Sequence, residues 1–147
     1  MQMLSKKRYS VMAARLKESG LISTPQRLAI MRVLADSEEH PSVDEIWRCI
    51  RRRFPGISQA TVYRNIMLIK SLGEVVEIAF AGSGSRYDGR RPYPHPHAVC
   101  LKCGKITDPE LDGLRDMTRK ITAESGFEIK SFRLDFFGIC PACLKSE

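Results

Sequence analysis

SVDEIWRCIRRRFPGISQATVYRNIMLIKSLG, residues 42–73, holds two amphipathic runs and a short break between them. Ser42 and Glu45 stand at capping-box spacing, and Val43, Ile46, Trp47, Ile50 and Phe54 repeat behind them with the period of an amphipathic helix. Pro55 and Gly56 then break the chain. Ser58 can cap a second helix, whose inner face is Val62, Ile66, Ile69 and Leu72 and which Gly73 stops. Two capped helices joined by so short a break read as a helix-turn-helix core.

Upstream, Thr24 before Pro25 gives an N-cap with proline at the first helical position, opening a helix with Leu28, Met31 and Leu34 or Ala35 on one face. A shorter apolar-periodic segment, from Val11 to Leu21, ends at Gly20. Downstream, VVEIAF and SRYD are strand-like runs joined by AGSGS, a hairpin of the kind called a wing, and Asp88 lies where it ends. Residues 89–96, GRRPYPHP, carry three prolines and read as a linker. A second domain follows: strand HAVCL, a Cys-Gly turn, strand KITD, a helix from about Pro109 to Ser125, and a long strand-like run FEIKSFRLDFFGIC. The expected class is α+β, with a winged-helix domain over residues 1–88, the linker over 89–96 and a metal-binding domain over 97–147.

The 147 residues, 43% of them hydrophobic, suffice for two small cores. The net charge of +7, concentrated before Asp88, favours a polyanionic partner, of which double-stranded DNA is one, though charge alone does not identify a DNA binder. The N-terminus has basic residues without a signal-peptide apolar stretch, and no run approaches a membrane span, so the expected address is the cytoplasm. Five cysteines in that setting point to metal or thiol chemistry rather than disulfides.

Cys100 and Cys103 form one CxxC, Cys140 and Cys143 another. Each pair can share one tetrahedral ion across a tight turn, and two pairs close a four-sulfur site with no position left for a substrate, the pattern of structural zinc. Redox-active or unmetallated pairs are the alternative, against which neither segment has thioredoxin-like surroundings. Cys49, on the third helix, reads as a semi-buried helical thiol with no assigned role.

With Val62 turned inward, Ala60, Tyr63, Arg64, Met67 and Lys70 point outward from the fourth helix. Arg64 can bond a guanine bidentately, Tyr63 or Ala60 can meet a thymine methyl, and Ser58, Gln59 and Thr61 are placed for phosphates. An ordinary solvated helix face is the alternative. The three histidines form a further group. His95 and His97, two apart in extended chain, face the same side, and the hairpin through CLKC returns Asp108 opposite them. His40 and Asp88 are the remaining candidates. Such mixed nitrogen and oxygen donors suit iron(II), manganese(II) or a second zinc. Singly, each has another reading: Asp108 as a helix cap before Pro109, Asp88 as a turn residue, His40 as a loop residue before Pro41, and the paired histidines as surface groups.

TPQRLAI, HPSVDEIW, SQATVYRN, RYDG, PHPHAVCLKCGKITD and the closing CPAC, in this order across nearly the whole chain, resemble the ferric uptake regulator family of bacterial metalloregulators, and within it the peroxide-sensing repressor branch. The resemblance implies a homodimer, in which an α/β domain dimerises and a winged helix binds an inverted-repeat operator when the regulatory metal is present. It implies a regulatory site of His40, Asp88, His95, His97 and Asp108, with Asp108 marking the branch. It also implies Fe2+ or Mn2+ as corepressor, and peroxide-driven oxidation of His40 or His95 when iron is bound. Tyr63 and Arg64 become the expected base contacts. The family often carries a basic residue two before Thr24, where this chain has Ile22. An iron- or zinc-uptake regulator of the same build is the rival within the class. A zinc hydrolase or a non-sensing zinc ribbon is the rival outside it, the first opposed by a closed sulfur site and the absence of an HxE pair. No catalytic residues are expected.

Overall fold

The computed structural model describes residues 2–80 and 83–146, in two compact units, Met1–Tyr93 and Pro94–Glu147. Ala81 and Gly82, within the expected wing turn, lie outside the described residues.

In the first unit four helices, α1 (Gln2–Glu18), α2 (Pro25–Asp36), α3 (Val43–Ile50) and α4 (Gln59–Ser71), precede a two-stranded antiparallel hairpin of β1 (Val76–Phe80) and β2 (Ser83–Asp88). The helix starts are set by local chemistry. Thr24 accepts the Arg27 N–H, Ser42 and Glu45 make a reciprocal capping box, and Ser58 accepts the Thr61 N–H. Ile30, Met31, Leu34, Ile46, Ile50, Val62, Ile66 and Ile69 fill the core, joined by Met12 and Leu16 of α1 and Tyr87 of β2. The hairpin register pairs Val76 with Asp88, which fixes Asp88 as its last residue. The chain then passes so close to α2 that a Cβ on Gly89 would stand 2.8 Å from the Leu34 Cβ, and Arg8 Nε donates to the Gly89 carbonyl at 2.7 Å.

α1 is longer than the apolar spacing predicts, beginning at Gln2 rather than near Val11. Its early turns are held by tertiary contacts: the Arg8 guanidinium pairs with buried Glu74 at 2.8 Å, and Arg32 lies over the Tyr9 ring at 3.8 Å. α3 is shorter than expected, and Phe54 packs on the core from the turn beyond it.

The second unit contains a three-stranded sheet in the order β4-β3-β5, from β3 (His97–Cys100), β4 (Ile106–Thr107) and β5 (Asp135–Gly138), with α5 (Leu114–Ser125) and α6 (Pro141–Lys145). β3 and β4 are antiparallel, whereas β3 and β5 are parallel and align His97 with Asp135 and Cys100 with Gly138. Two expectations change here. The helix starts at Leu114, behind a left-handed Gly113, instead of near Pro109, and the run from Phe127 yields a strand of four residues. Its apolar core is small, centred on Val99, Cys100 and Ile106, and α5 has no buried residue. Among the described residues, no helix is long and apolar enough to cross a membrane.

Candidate metal centres and nucleic-acid interface

The parallel pairing of β5 with β3 carries the two CxxC segments to one place. Cys100 ends β3, Cys103 follows in a tight turn closed by a Gly104 N–H to Cys100 carbonyl bond of 3.0 Å, and Cys140 and Cys143 sit at the start of α6. The four sulfur atoms lie within 4.8 Å of one another, with Cys103 Sγ and Cys140 Sγ 3.7 Å apart. Thiolates bound tetrahedrally at about 2.3 Å from zinc stand about 3.8 Å apart, so the cluster has the dimensions of a zinc knuckle. Its electrostatics agree. Backbone N–H groups of Cys103 and then Cys140 pull the Cys100 thiol down to about 6, whereas hydrogen bonds to the Cys140 and Cys103 sulfurs push Cys143 up to about 12. A divalent cation removes the conflict among crowded sulfurs. The zinc expectation therefore fits the donor set. Cys49 is exposed on α3 of the other unit.

In the first unit, His40 and Asp88 form a buried pair with His40 Nε2 3.2 Å from Asp88 Oδ2. Asp88 Oδ1 accepts the N–H groups of Arg90 and Arg91 at 2.9 and 3.0 Å, the expected turn role, while its other oxygen faces His40. Among the described residues His40 is the one non-glycine with a left-handed backbone, φ 53°, a conformation that costs about 1–2 kcal/mol and persists where its surroundings hold it. Arg86 of β2 supplies that hold, donating from Nε to the His40 carbonyl and from a terminal nitrogen to the Glu39 carbonyl at 2.7 Å.

In the second unit, His95 and His97 are buried with ring centroids 4.4 Å apart, and Asp108, just past β4, faces both. Its Oδ2 lies 3.5 Å from His95 Nε2 and its Oδ1 3.7 Å from His97 Nε2. Donors around an ion held at about 2.1 Å stand roughly 3.0–3.5 Å apart, so the spacing suits a shared cation. The alternative reading of Asp108 as a helix cap is overturned, because α5 begins six residues later behind Gly113. Asp135 was not singled out from the sequence. Its Oδ1 lies 3.2 Å from His97 Nδ1, the carboxylate-to-imidazole contact that orients metal-binding histidines, and only the parallel register of β3 and β5 brings it there.

α4 turns Ala60, Tyr63, Arg64 and Lys70 outward, with Tyr63 49% exposed, while Met67, expected on the same face, packs against the core. The residues expected at phosphates already form a network: Ser58 Oγ lies 3.0 Å from Thr61 Oγ1, Arg64 donates to Thr61 Oγ1 at 3.2 Å, and Gln59 Nε2 donates to Asp44 at 2.9 Å. Ile22, where a basic residue is common, is 76% exposed, and Arg27 donates to its carbonyl at 2.5 Å.

A winged helix with an exposed Tyr-Arg face and a unit bearing a four-sulfur cluster define a metalloregulatory DNA-binding protein. The chain belongs to the ferric uptake regulator family, which matches over residues 18–137, and it is as such a metal-dependent transcription regulator. It is 39% identical over 133 residues to the peroxide-responsive repressor PerR of Staphylococcus epidermidis, a match covering 88% of this chain and 86% of that protein. Among solved structures it is similar to the Campylobacter jejuni peroxide stress regulator, at 33% identity and a TM-score of 0.73 over 87% of this chain and 96% of that one. It is likewise similar to the Helicobacter pylori ferric uptake regulator Fur, with three functional metal binding sites, at 25% identity and a TM-score of 0.80 over 97% of this chain and 95% of that one.

Proposed function

We propose that this chain is a peroxide-responsive repressor that binds inverted-repeat operator DNA as a homodimer when Fe2+ or Mn2+ is bound. His40 and Asp88 from one unit and His95, His97 and Asp108 from the other would hold that ion, and Cys100, Cys103, Cys140 and Cys143 would hold a structural Zn2+. The observation that carries the reading is the second donor set. Buried imidazoles paired with aspartates, unlike the sulfur cluster, offer the mixed nitrogen and oxygen donors that suit iron(II), manganese(II) or a second zinc. Relatives named as peroxide-responsive repressors support it.

Iron held by these five residues would supply the means to activate peroxide beside an imidazole. His40 and His95 are the expected targets, one ring gaining one oxygen atom while peroxide is reduced to water. A modified imidazole would no longer donate as before, which would weaken the hold of these residues on the ion. The ion would act by joining His40 of the winged-helix unit to ligands of the other unit, setting the separation of two recognition helices to two half-sites. Tyr63 and Arg64 would read bases, with Ser58, Gln59 and Thr61 near the phosphates. Dimerisation finds support in the second unit, where Phe127, Phe136, Phe137 and Ile121 are more than half exposed around a small core.

The test is anaerobic binding of the zinc-loaded protein to an operator duplex selected from random DNA, with Fe2+ or Mn2+ added, before and after micromolar peroxide, followed by mass spectrometry of the His40 and His95 peptides. The expected result is loss of binding and a gain of one oxygen on a histidine in the iron form alone. Binding that survives peroxide in both forms, with unmodified histidines, gives the chain to the metal-uptake regulators, the reading that similarity to the Helicobacter pylori protein favours.

A further inference from the structure

His40 is held by the wing from its backbone as well as its ring. Arg86 sits on β2 opposite Ile78, 46 residues from His40 in sequence, and its guanidinium forks onto two successive carbonyls, those of Glu39 and His40. Its backbone makes a β-bridge with Ser42, and the next N–H, that of Tyr87, donates to the Pro41 carbonyl at 3.0 Å. Asp88, the following residue, stands 3.2 Å from His40 Nε2. Three consecutive wing residues therefore grip segment 39–42 on both sides of a residue at φ 53°.

We infer that Arg86 is a positioning residue for the regulatory metal, fixing His40 in its left-handed conformation and coupling ion binding to the order of the wing. The inference rests on the proposed role of His40 and Asp88 as ligands. A non-glycine residue at positive φ relaxes when its restraints are removed, and rotation there swings the imidazole away from Asp88. The planar guanidinium suits this task, because its donors are fixed in a fork that spans adjacent carbonyls, whereas a lysine ammonium supplies a single point. The coupling is reciprocal: an ion that fixes His40 steadies β2, and whatever steadies β2 tightens the ion by the same factor.

The experiment uses full-length zinc-loaded protein, wild type and the variants Arg86→Lys and His40→Ala. Free Mn2+ is followed by electron paramagnetic resonance to give Kd, and operator binding is measured with and without Mn2+. Arg86→Lys is expected to weaken Mn2+ binding about 10- to 100-fold, the usual cost of losing a group that orients a metal ligand. Its operator affinity at saturating Mn2+ should fall by less than its metal affinity does. An unchanged Mn2+ Kd, with operator affinity lowered equally in the presence and absence of Mn2+, overturns the inference and makes Arg86 an ordinary wing or DNA-contact residue. A His40→Ala protein that binds Mn2+ as tightly as wild type overturns the ligand reading itself, and the inference with it. Should Arg86→Lys fail to fold, hydrogen exchange in the wild type decides: Mn2+ should slow exchange of the Arg86 and Tyr87 amides without DNA, and unchanged exchange overturns the coupling.

Discussion

His40 Nε2 and Asp88 Oδ2 stand 3.2 Å apart, both side chains nearly removed from solvent, one before α3 and the other at the last position of the wing. The pair ties the entrance of the helix-turn-helix to the end of the hairpin.

His40→Ala is expected to leave zinc content unchanged, because the sulfur cluster lies in the other unit, while abolishing Mn2+-dependent operator binding. Removing one member of a buried polar pair also costs about 1–3 kcal/mol. Elemental analysis, anisotropy with the operator duplex and a thermal melt check the three parts, and retained metal dependence would sink the ligand role.

Zinc uptake should release protons and tighten as pH rises. In the metal-free cluster Cys100, at about 6, is already a thiolate at neutral pH, whereas Cys143, at about 12, is still protonated and must give up its proton to bind. Apparent affinity therefore falls as pH drops towards and through 6, where Cys100 is protonated too. Calorimetry in buffers of different ionisation enthalpy measures the protons released, and a pH-independent affinity would contradict the four-thiolate site.

Cys143→Ser should remove the zinc and with it the order of the second unit. A structural zinc contributes about 10 kcal/mol or more to small domains, far beyond what a core centred on three buried residues supplies. Loss of the dimer in sedimentation, together with loss of zinc, is the expected outcome.

Arg64→Ala is expected to cost about 1–3 kcal/mol in operator affinity and to relax base preference at one position, because the side chain is exposed and its loss leaves the core intact. Binding to a set of single-base operator variants reads both effects. A uniform loss across all variants would instead make Arg64 a phosphate contact.

Phe137→Glu should give a monomer by sedimentation. Phe137 is 55% exposed and Phe136 52%, and burying the exposed half of each against a second copy would contribute about 1 kcal/mol, which a carboxylate forfeits. An intact dimer would move the interface away from β5.

The sequence by itself determined the elements whose ends are written in local chemistry. Thr24 with Pro25, Ser42 with Glu45, and Ser58 all cap the helices they signal, because each bond closes within three residues and needs nothing from elsewhere in the chain. Each CxxC segment likewise declared a local pair of sulfur ligands, whereas the parallel pairing of β5 with β3 brought the two pairs to one place. Tertiary structure alone decided what depends on residues far apart. α1 extends back to Gln2 although its first turns lack apolar periodicity, since Arg8 reaches Glu74 and Tyr9 meets Arg32. The run from Phe127 keeps only four strand residues, those that β3 can pair. Asp135 meets His97 through a parallel register, and Arg86 meets His40 across 46 residues. Neither contact leaves a trace in spacing or composition, because a long-range hydrogen bond is set by how the elements pack and not by the residues beside it.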